Sequence, residues 1–212
     1  GWRMLPNNFP PWQTVYWWFR RFVRLLLFRT IHDVALMIDR ERSGRAAEPT
    51  AGVIDSQSVK APQSKRRGYD AGKKIKGKKR HILVDTQGLL IHAIVHAADV
   101  QDRDGGELVM ATLFGMFPFL LKLYADGGYQ GPLFRAAVRK VLKQVSVDIV
   151  KRSDAAKGFV ILPRRWVVER TFAWFGRCRR LAKDWECLNR KGLAFLRLAS
   201  IRLMLRKLCN PT

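Results

Sequence analysis

Hydrophobic positions change their period along the chain, and those changes divide it. Val15, Phe19, Phe22 and Leu26 recur at steps of three and four residues behind Pro10 and Pro11, which predicts a helix with one apolar face. Thr30 and Asp33 have capping-box spacing, so a second short helix is expected to bury Ile31, Ala35 and Ile38. Residues 43–52 gather Gly44, Pro49 and Gly52 among small side chains and read as a linker.

Beyond the linker the apolar residues cluster in short runs. Residues 53–59 predict a strand, and 60–80 a basic excursion punctuated by glycine. Residues 81–84 and 89–97 predict a hairpin about Asp85-Thr86-Gln87-Gly88. Residues 99–117 are helical in pattern, with acids crowding the start as the helix dipole prefers. A fourth strand over 120–125 ends at Asp126-Gly127-Gly128; a helix over 132–142 and a fifth strand over 145–150 follow. Residues 165–181 and 192–208 are helical and basic. The expected fold class is α/β, a mixed five-stranded sheet flanked by helices. Residues 1–47 form a small N-terminal helical region and linker, and residues 48–212 the main domain.

Composition narrows the partners. Lys and Arg number 40 against 17 Asp and Glu, a formal charge of +23, which points to a polyanion: nucleic acid first, an anionic membrane surface second. A hydrophobic fraction of 48% excludes wholesale disorder. The longest apolar stretch, residues 110–121, is too short to span a bilayer and contains Pro118, so no membrane partner is expected. Cys178, Cys187 and Cys209 are odd in number and lack a C-x-x-C pair. That argues against a disulfide framework and a cysteine zinc site, and fits a reducing cytoplasm. The chain starts at Gly1 with its first methionine at Met4, so it is expected to be a piece of something longer.

In so basic a chain, the acids set in costly places carry the chemistry. Asp55 interrupts a strand, where Asp is disfavoured; alone, it reads first as an edge-strand acid facing water. Asp126 closes a strand, where ligand sites of open α/β sheets gather; alone, it reads equally as an ordinary Asp-Gly turn. Glu169 lies beside the apolar face of its helix, four residues after Arg165; alone, that is an exposed pair worth about 0.3–0.5 kcal/mol. Together, two strand carboxylates and one helix carboxylate can converge on one sheet edge. Such oxygens suit Mg2+ or Mn2+, and two ions about 3.5–4 Å apart stabilise both oxygens of an in-line phosphoryl displacement. Asp102 is the reserve candidate; Asp85, Asp99 and Asp104 read as turn or cap residues.

Two basic stretches complete the picture. Lys60, Lys73, Lys74, Lys78, Lys79 and Arg80 belong to a run whose glycines at 68, 72 and 77 let it follow a phosphate backbone, largely blind to sequence. Arg165, Arg170, Arg177 and Lys183 stand on the C-terminal helical part and are expected to reach DNA as well. Trp12, Trp17 and Trp18 read as core or partner-facing, and Trp166 and Trp174 as packing for the Glu169 helix. His92 and His96 share a strand face but lack a third zinc ligand.

The sequence resembles the DDE transposases of bacterial insertion sequences, specifically insertion sequence family five. The likeness runs through Val53-Ile54-Asp55-Ser56-Gln57-Ser58-Val59-Lys60, Gly68-Tyr69-Asp70-Ala71-Gly72-Lys73-Lys74 and Lys79-Arg80-His81-Ile82-Leu83-Val84-Asp85. It continues through Ala98-Asp99-Val100-Gln101-Asp102-Arg103-Asp104, Leu123-Tyr124-Ala125-Asp126-Gly127-Gly128-Tyr129 and Arg165-Trp166-Val167-Val168-Glu169-Arg170-Thr171-Phe172-Ala173-Trp174. It implies a ribonuclease H-like fold and Asp55, Asp126 and Glu169 as catalytic and metal-binding triad for Mg2+ or Mn2+, two ions. It also implies double-stranded DNA as partner, a homodimer or higher assembly on DNA, and a bacterial, nucleoid-associated place in the cytoplasm. Residues 1–42 then resemble the tail of an N-terminal DNA-binding region. The family's Y-x2-R-x3-E-x6-K signature keeps its arginine at Arg165, but Leu162 stands at its tyrosine and Gly176 at its lysine. Arg177 or Lys183 is a candidate for that lysine's work.

The expected function is metal-dependent cleavage at insertion-sequence ends and strand transfer into target DNA. The alternatives are a nuclease of the same fold and a non-catalytic DNA-binding remnant.

Overall fold

The computed structural model describes residues 1–150 and 164–210. Within them one sheet is built from β1 (Ala51–Lys60), β2 (Gly68–Asp70), β3 (Ile75–Asp85), β4 (Leu90–Ala97), β5 (Lys122–Ala125) and β6 (Ser146–Ile149). The helices are α1 (Trp12–Arg24), α2 (Leu27–Arg42), α3 (Asp102–Ala111), α4 (Pro132–Val141), α5 (Trp166–Gly176) and α6 (Asn189–Cys209). Strand β1 is central: β3 pairs with it antiparallel, Gly52 opposite Asp85, and β5 parallel, Ala51 opposite Lys122. β6 extends the parallel side, while β2 and β4 pair antiparallel with successive stretches of β3. The mixed α/β sheet and the N-terminal helices are as expected; β2, only three residues long, is the addition.

Strand alternation sorts the side chains onto two covered faces. Ile54, Leu83, Ile91 and Leu123 join Val109, Met110, Phe134 and Val138 of α3 and α4 in one cluster. Val53, Ile82, Val84 and Leu90 join Val167, Val168 and Phe172 of α5 and Leu196 and Ala199 of α6 in another. Asp55 shares parity with Val53 and faces α5, whereas Ser56 shares parity with Ile54 and faces α3.

The same alternation corrects the reading of the basic run. Its second half is the opening of β3, covered on both faces, so Lys78, Lys79 and Arg80 are buried. Lys78 Nζ pairs with Asp184 at 3.3 Å and donates to the Glu186 carbonyl at 2.7 Å; Arg80 donates to the Leu181 carbonyl at 2.7 Å. On the opposite face Lys79 Nζ lies 2.8 Å from Asp102 Oδ1 and 3.4 Å from Asp70 Oδ2. The two lysines spend their charges on internal acids and Arg80 donates to a backbone carbonyl, because a buried cation without partners would be far too costly. Gly77 permits the closeness of β1: a Cβ there would stand 1.8 Å from the Val59 carbonyl oxygen.

Helix α2 also departs from expectation. It begins at Leu27, after a left-handed Leu26 (φ 57°), so Thr30 is interior and caps nothing. Its buried residues are His32, Ala35, Leu36, Asp39 and Arg40, leaving Ile31 and Ile38 exposed. That face lies on α6, where Ala35, Leu36, Leu89, Ile201 and Met204 form a third cluster. Polar pins cross the seam, His32 to Ser200 Oγ at 3.2 Å and Lys207 to Asp39 at 2.9 Å, and Lys191 of α6 donates to Tyr16 of α1. Arg40 reaches the sheet itself and pairs with the fully buried Asp85. The other Asp85 oxygen accepts the amides of Gln87 and Leu89, both at 2.9 Å, closing the β3–β4 turn. Among the described residues, no helix is long and apolar enough to cross a membrane.

Asp85→Ala leaves the Arg40 guanidinium buried without its partner and two turn amides without an acceptor. It is expected to cost about 3–5 kcal/mol of unfolding free energy, read from the urea midpoint.

Candidate active site

Three carboxylates reach one point from three elements. Asp55 projects from the middle of β1, and its Oδ1 accepts the Ser56 amide at 2.7 Å. Asp126 follows the last residue of β5, at the carboxyl edge of the parallel strands. Its Oδ1 accepts the Gly128 amide at 2.8 Å and so caps the 3-10 turn Gly127–Tyr129. Glu169 sits in the first turn of α5, whose N-cap is Arg165. The Arg165 Nη2 atom lies 3.5 Å from Asp126 Oδ2, 3.5 Å from Glu169 Oε1 and 3.9 Å from Asp55 Oδ2. The triad expected from sequence is therefore gathered about one guanidinium.

The cluster strains its own ionisation. Asp55 is held up at a pKa of about 6, first by burial and then by the charge of Asp126; the Ser56 amide, Arg165 and Lys73 pull the other way. Asp55 is the most enclosed of the three and Glu169, at 48% side-chain exposure, the most open.

An open groove of about 450 Å3 runs past Asp55 and Glu169, with Lys73, Phe172 and Gly176 in its walls. Lys73, from the β2–β3 turn, places Nζ 3.3 Å from the Ser56 carbonyl oxygen. Gly176, at the signature's lysine position, is exposed, and a Cβ there would meet nothing within 4 Å. Thus Lys73 enters the groove that a lysine at 176 would also border. Lys60, Lys74, Arg177 and Lys183 are exposed. Arg170 is clamped between the Trp166 and Trp174 rings, 4.9 and 4.7 Å from their centroids, and donates to the Gln87 carbonyl. Leu162 lies outside the described residues.

Two neighbours were not singled out as part of the site. Asp102, the reserve candidate, accepts from Ser56 Oγ at 2.7 Å and from Lys79, just behind β1. Tyr129 is fully buried, its hydroxyl has no hydrogen-bond partner among the described residues, and burial with the charges of Asp55, Asp102 and Asp126 raises its phenol well above 10. Its place in Asp126-Gly127-Gly128-Tyr129, three residues after the acid, was the available signal. Of the histidines, His81 bonds His96 at 2.7 Å and His92 bonds Thr112 at 2.9 Å, so His92 and His96 form no pair.

The donor chemistry fits a hard divalent cation: three oxygen acids aimed at one positive centre, which the guanidinium now supplies. Among the described residues, no three His, Cys, Asp or Glu side chains stand close enough to form a ready-made cage.

Because Asp55 binds its proton more tightly folded than unfolded, its contribution erodes stability as pH rises through 4 to 6. Asp55→Asn is expected to flatten that decline and to gain about 1–2 kcal/mol at pH 7 without metal, read by urea titration across pH 4–7.

Comparison with known proteins identifies the family of the chain. A family model described as the transposase DDE domain matches residues 46–204. A protein from Burkholderia cepacia assigned as the transposase of insertion sequence element IS402 is 31% identical over 157 residues, covering 69% of this chain and 70% of that protein. Among solved structures, a chain of a simian T-cell lymphotropic virus intasome bound to the PP2A regulatory subunit B56 gamma aligns at 10% identity and a TM-score of 0.45. That alignment covers 78% of this chain and 50% of the other. With its family match spanning most of the sequence, the chain belongs to the DDE transposases of bacterial insertion sequences.

Proposed function

We propose that the chain cleaves phosphodiester bonds at the ends of an insertion sequence and transfers the freed strand into target DNA. The observation that carries this reading is the meeting of Asp55, Asp126 and Glu169 on Arg165. Those three residues would hold Mg2+ or Mn2+, two ions in the working complex. When bound, the cations supply charge neutralisation at the scissile phosphate and a more acidic attacking water.

The protein's own groups position and screen. Gly127 and Gly128 keep the approach to Asp126 free of side chains, and the amide of Gly128 fixes one carboxylate oxygen so that the other faces the site. Lys73 offers a mobile cation to a backbone phosphate lying in the groove. The exposed Lys60, Lys74, Arg177 and Lys183 extend that attraction outward, positioning the duplex without reading its bases. Two chains, one per element end, are the smallest assembly that joins both ends to one target. The region of α1 and α2 is proposed as an added DNA grip.

On labelled DNA bearing the element's ends, with Mg2+ or Mn2+, this chain is expected to give cleaved and joined products, and Asp126→Asn none, with fold and DNA binding retained. Cleavage without joining would make it a nuclease of the same fold. Silence from both proteins, with DNA binding retained, would leave a DNA-binding remnant. Separately, Lys73→Gln is expected to weaken DNA binding across sequences and to reduce the salt slope by about one contact, measured by fluorescence anisotropy at several salt concentrations.

A further inference from the structure

We infer that Arg165 is a built-in counter-ion: its guanidinium gathers Asp55, Asp126 and Glu169 before metal arrives and competes with metal for the same oxygens. The inference rests on the proposed metal-dependent reading of the triad.

Three observations carry it. Among the described residues, Arg165 is the one cation within ion-pairing distance of any of the three acids, and it reaches all of them. Every contact runs through the single atom Nη2, at 3.5–3.9 Å, well beyond the 2.7–2.9 Å of a charge-assisted hydrogen bond. A structural arginine would use its fork bidentately on one carboxylate; this one stands loosely beside all three, while its buried Nε has no hydrogen-bond partner among the described residues. Finally, the chain aims it there. Arg164 holds a left-handed φ of 74°, uncommon for a side-chain-bearing residue, and Arg165 caps α5 with Glu169 one turn on.

Charge decides the direction of the effect. One guanidinium against three carboxylates leaves the cluster two charges negative when all are ionised, so it restrains the acids without satisfying them. A small divalent ion places twice the charge nearer the same oxygens, and the arginine, with 24% of its side chain exposed, has a path to solvent. Arg165 thereby restrains the acids in the metal-free protein and lowers the affinity for metal until it withdraws.

The test is Mn2+ titration by calorimetry on the DNA-free protein, wild type against Arg165→Gln, with melting temperatures taken with and without Mn2+. Removing the competitor is expected to tighten Mn2+ binding by about tenfold. The metal-free melting temperature should fall, and Mn2+ should restore it. A purely structural or DNA-contacting arginine predicts unchanged or weaker Mn2+ binding, and either result overturns the inference while leaving the metal-dependent reading intact. Absence of binding in both proteins overturns both. If Arg165→Gln does not fold, Arg165→Lys, whose shorter point charge cannot reach all three acids, is expected to bind Mn2+ more tightly than wild type; equal affinity overturns the inference.

Discussion

Coverage of β1 on both faces is the constraint from which the rest follows. Flanked by β3 and β5 and sandwiched between the α3–α4 and α5–α6 layers, this strand is buried over most of its length, so each polar group enclosed on it needs a built partner. Asp55 finds Arg165 and the Ser56 amide; Ser56 finds Asp102; Ser58 finds Asp70. Those partners arrive from α5, α3 and β2, so satisfying one strand assembles the neighbourhood of the site. The price is visible in the raised pKa of Asp55 and in the Tyr129 hydroxyl, which has no hydrogen-bond partner among the described residues, both beside the carboxylate cluster and neither useful to stability.

Charge works in two opposite ways in this molecule. The exposed lysines and arginines make the outside attractive to a polyanion. Inside, Lys78, Lys79, Arg80 and Arg40 each meet an acid or a carbonyl. Net charge therefore overstates what a DNA backbone encounters, because part of it cements β3 to the segment carrying Asp184 and Glu186 and to the start of α3.

The order of strands and the three acids were legible because both are local signals: apolar runs between glycine turns, and carboxylates where a strand or its end disfavours them. The buried fate of Lys78 to Arg80 was hidden, because their acid partners lie up to about a hundred residues away and a lysine-rich stretch looks alike whether wet or enclosed. The face of α2 was misjudged for a related reason. Ile31 and Ile38 are the greasier residues, yet His32, Asp39 and Arg40 are enclosed because Ser200, Lys207 and Asp85 await them. Arg165 could be paired with Glu169 from spacing alone; that Asp55 and Asp126 meet the same nitrogen is a fact of the assembled sheet.

The seam between α2 and α6, bolted to the hairpin through Arg40 and Asp85, makes the N-terminal helices part of the catalytic frame rather than a swinging arm. Anything gripped by them is held at a distance from Asp126 set by side-chain interdigitation along α6. Sliding α2 by one helical turn would move that grip about 5.4 Å, roughly one and a half nucleotide steps of a strand. The seam is thus a fixed spacer between the N-terminal helices and the sheet, its length set by the packing of Ala35, Leu36, Ile201 and Met204.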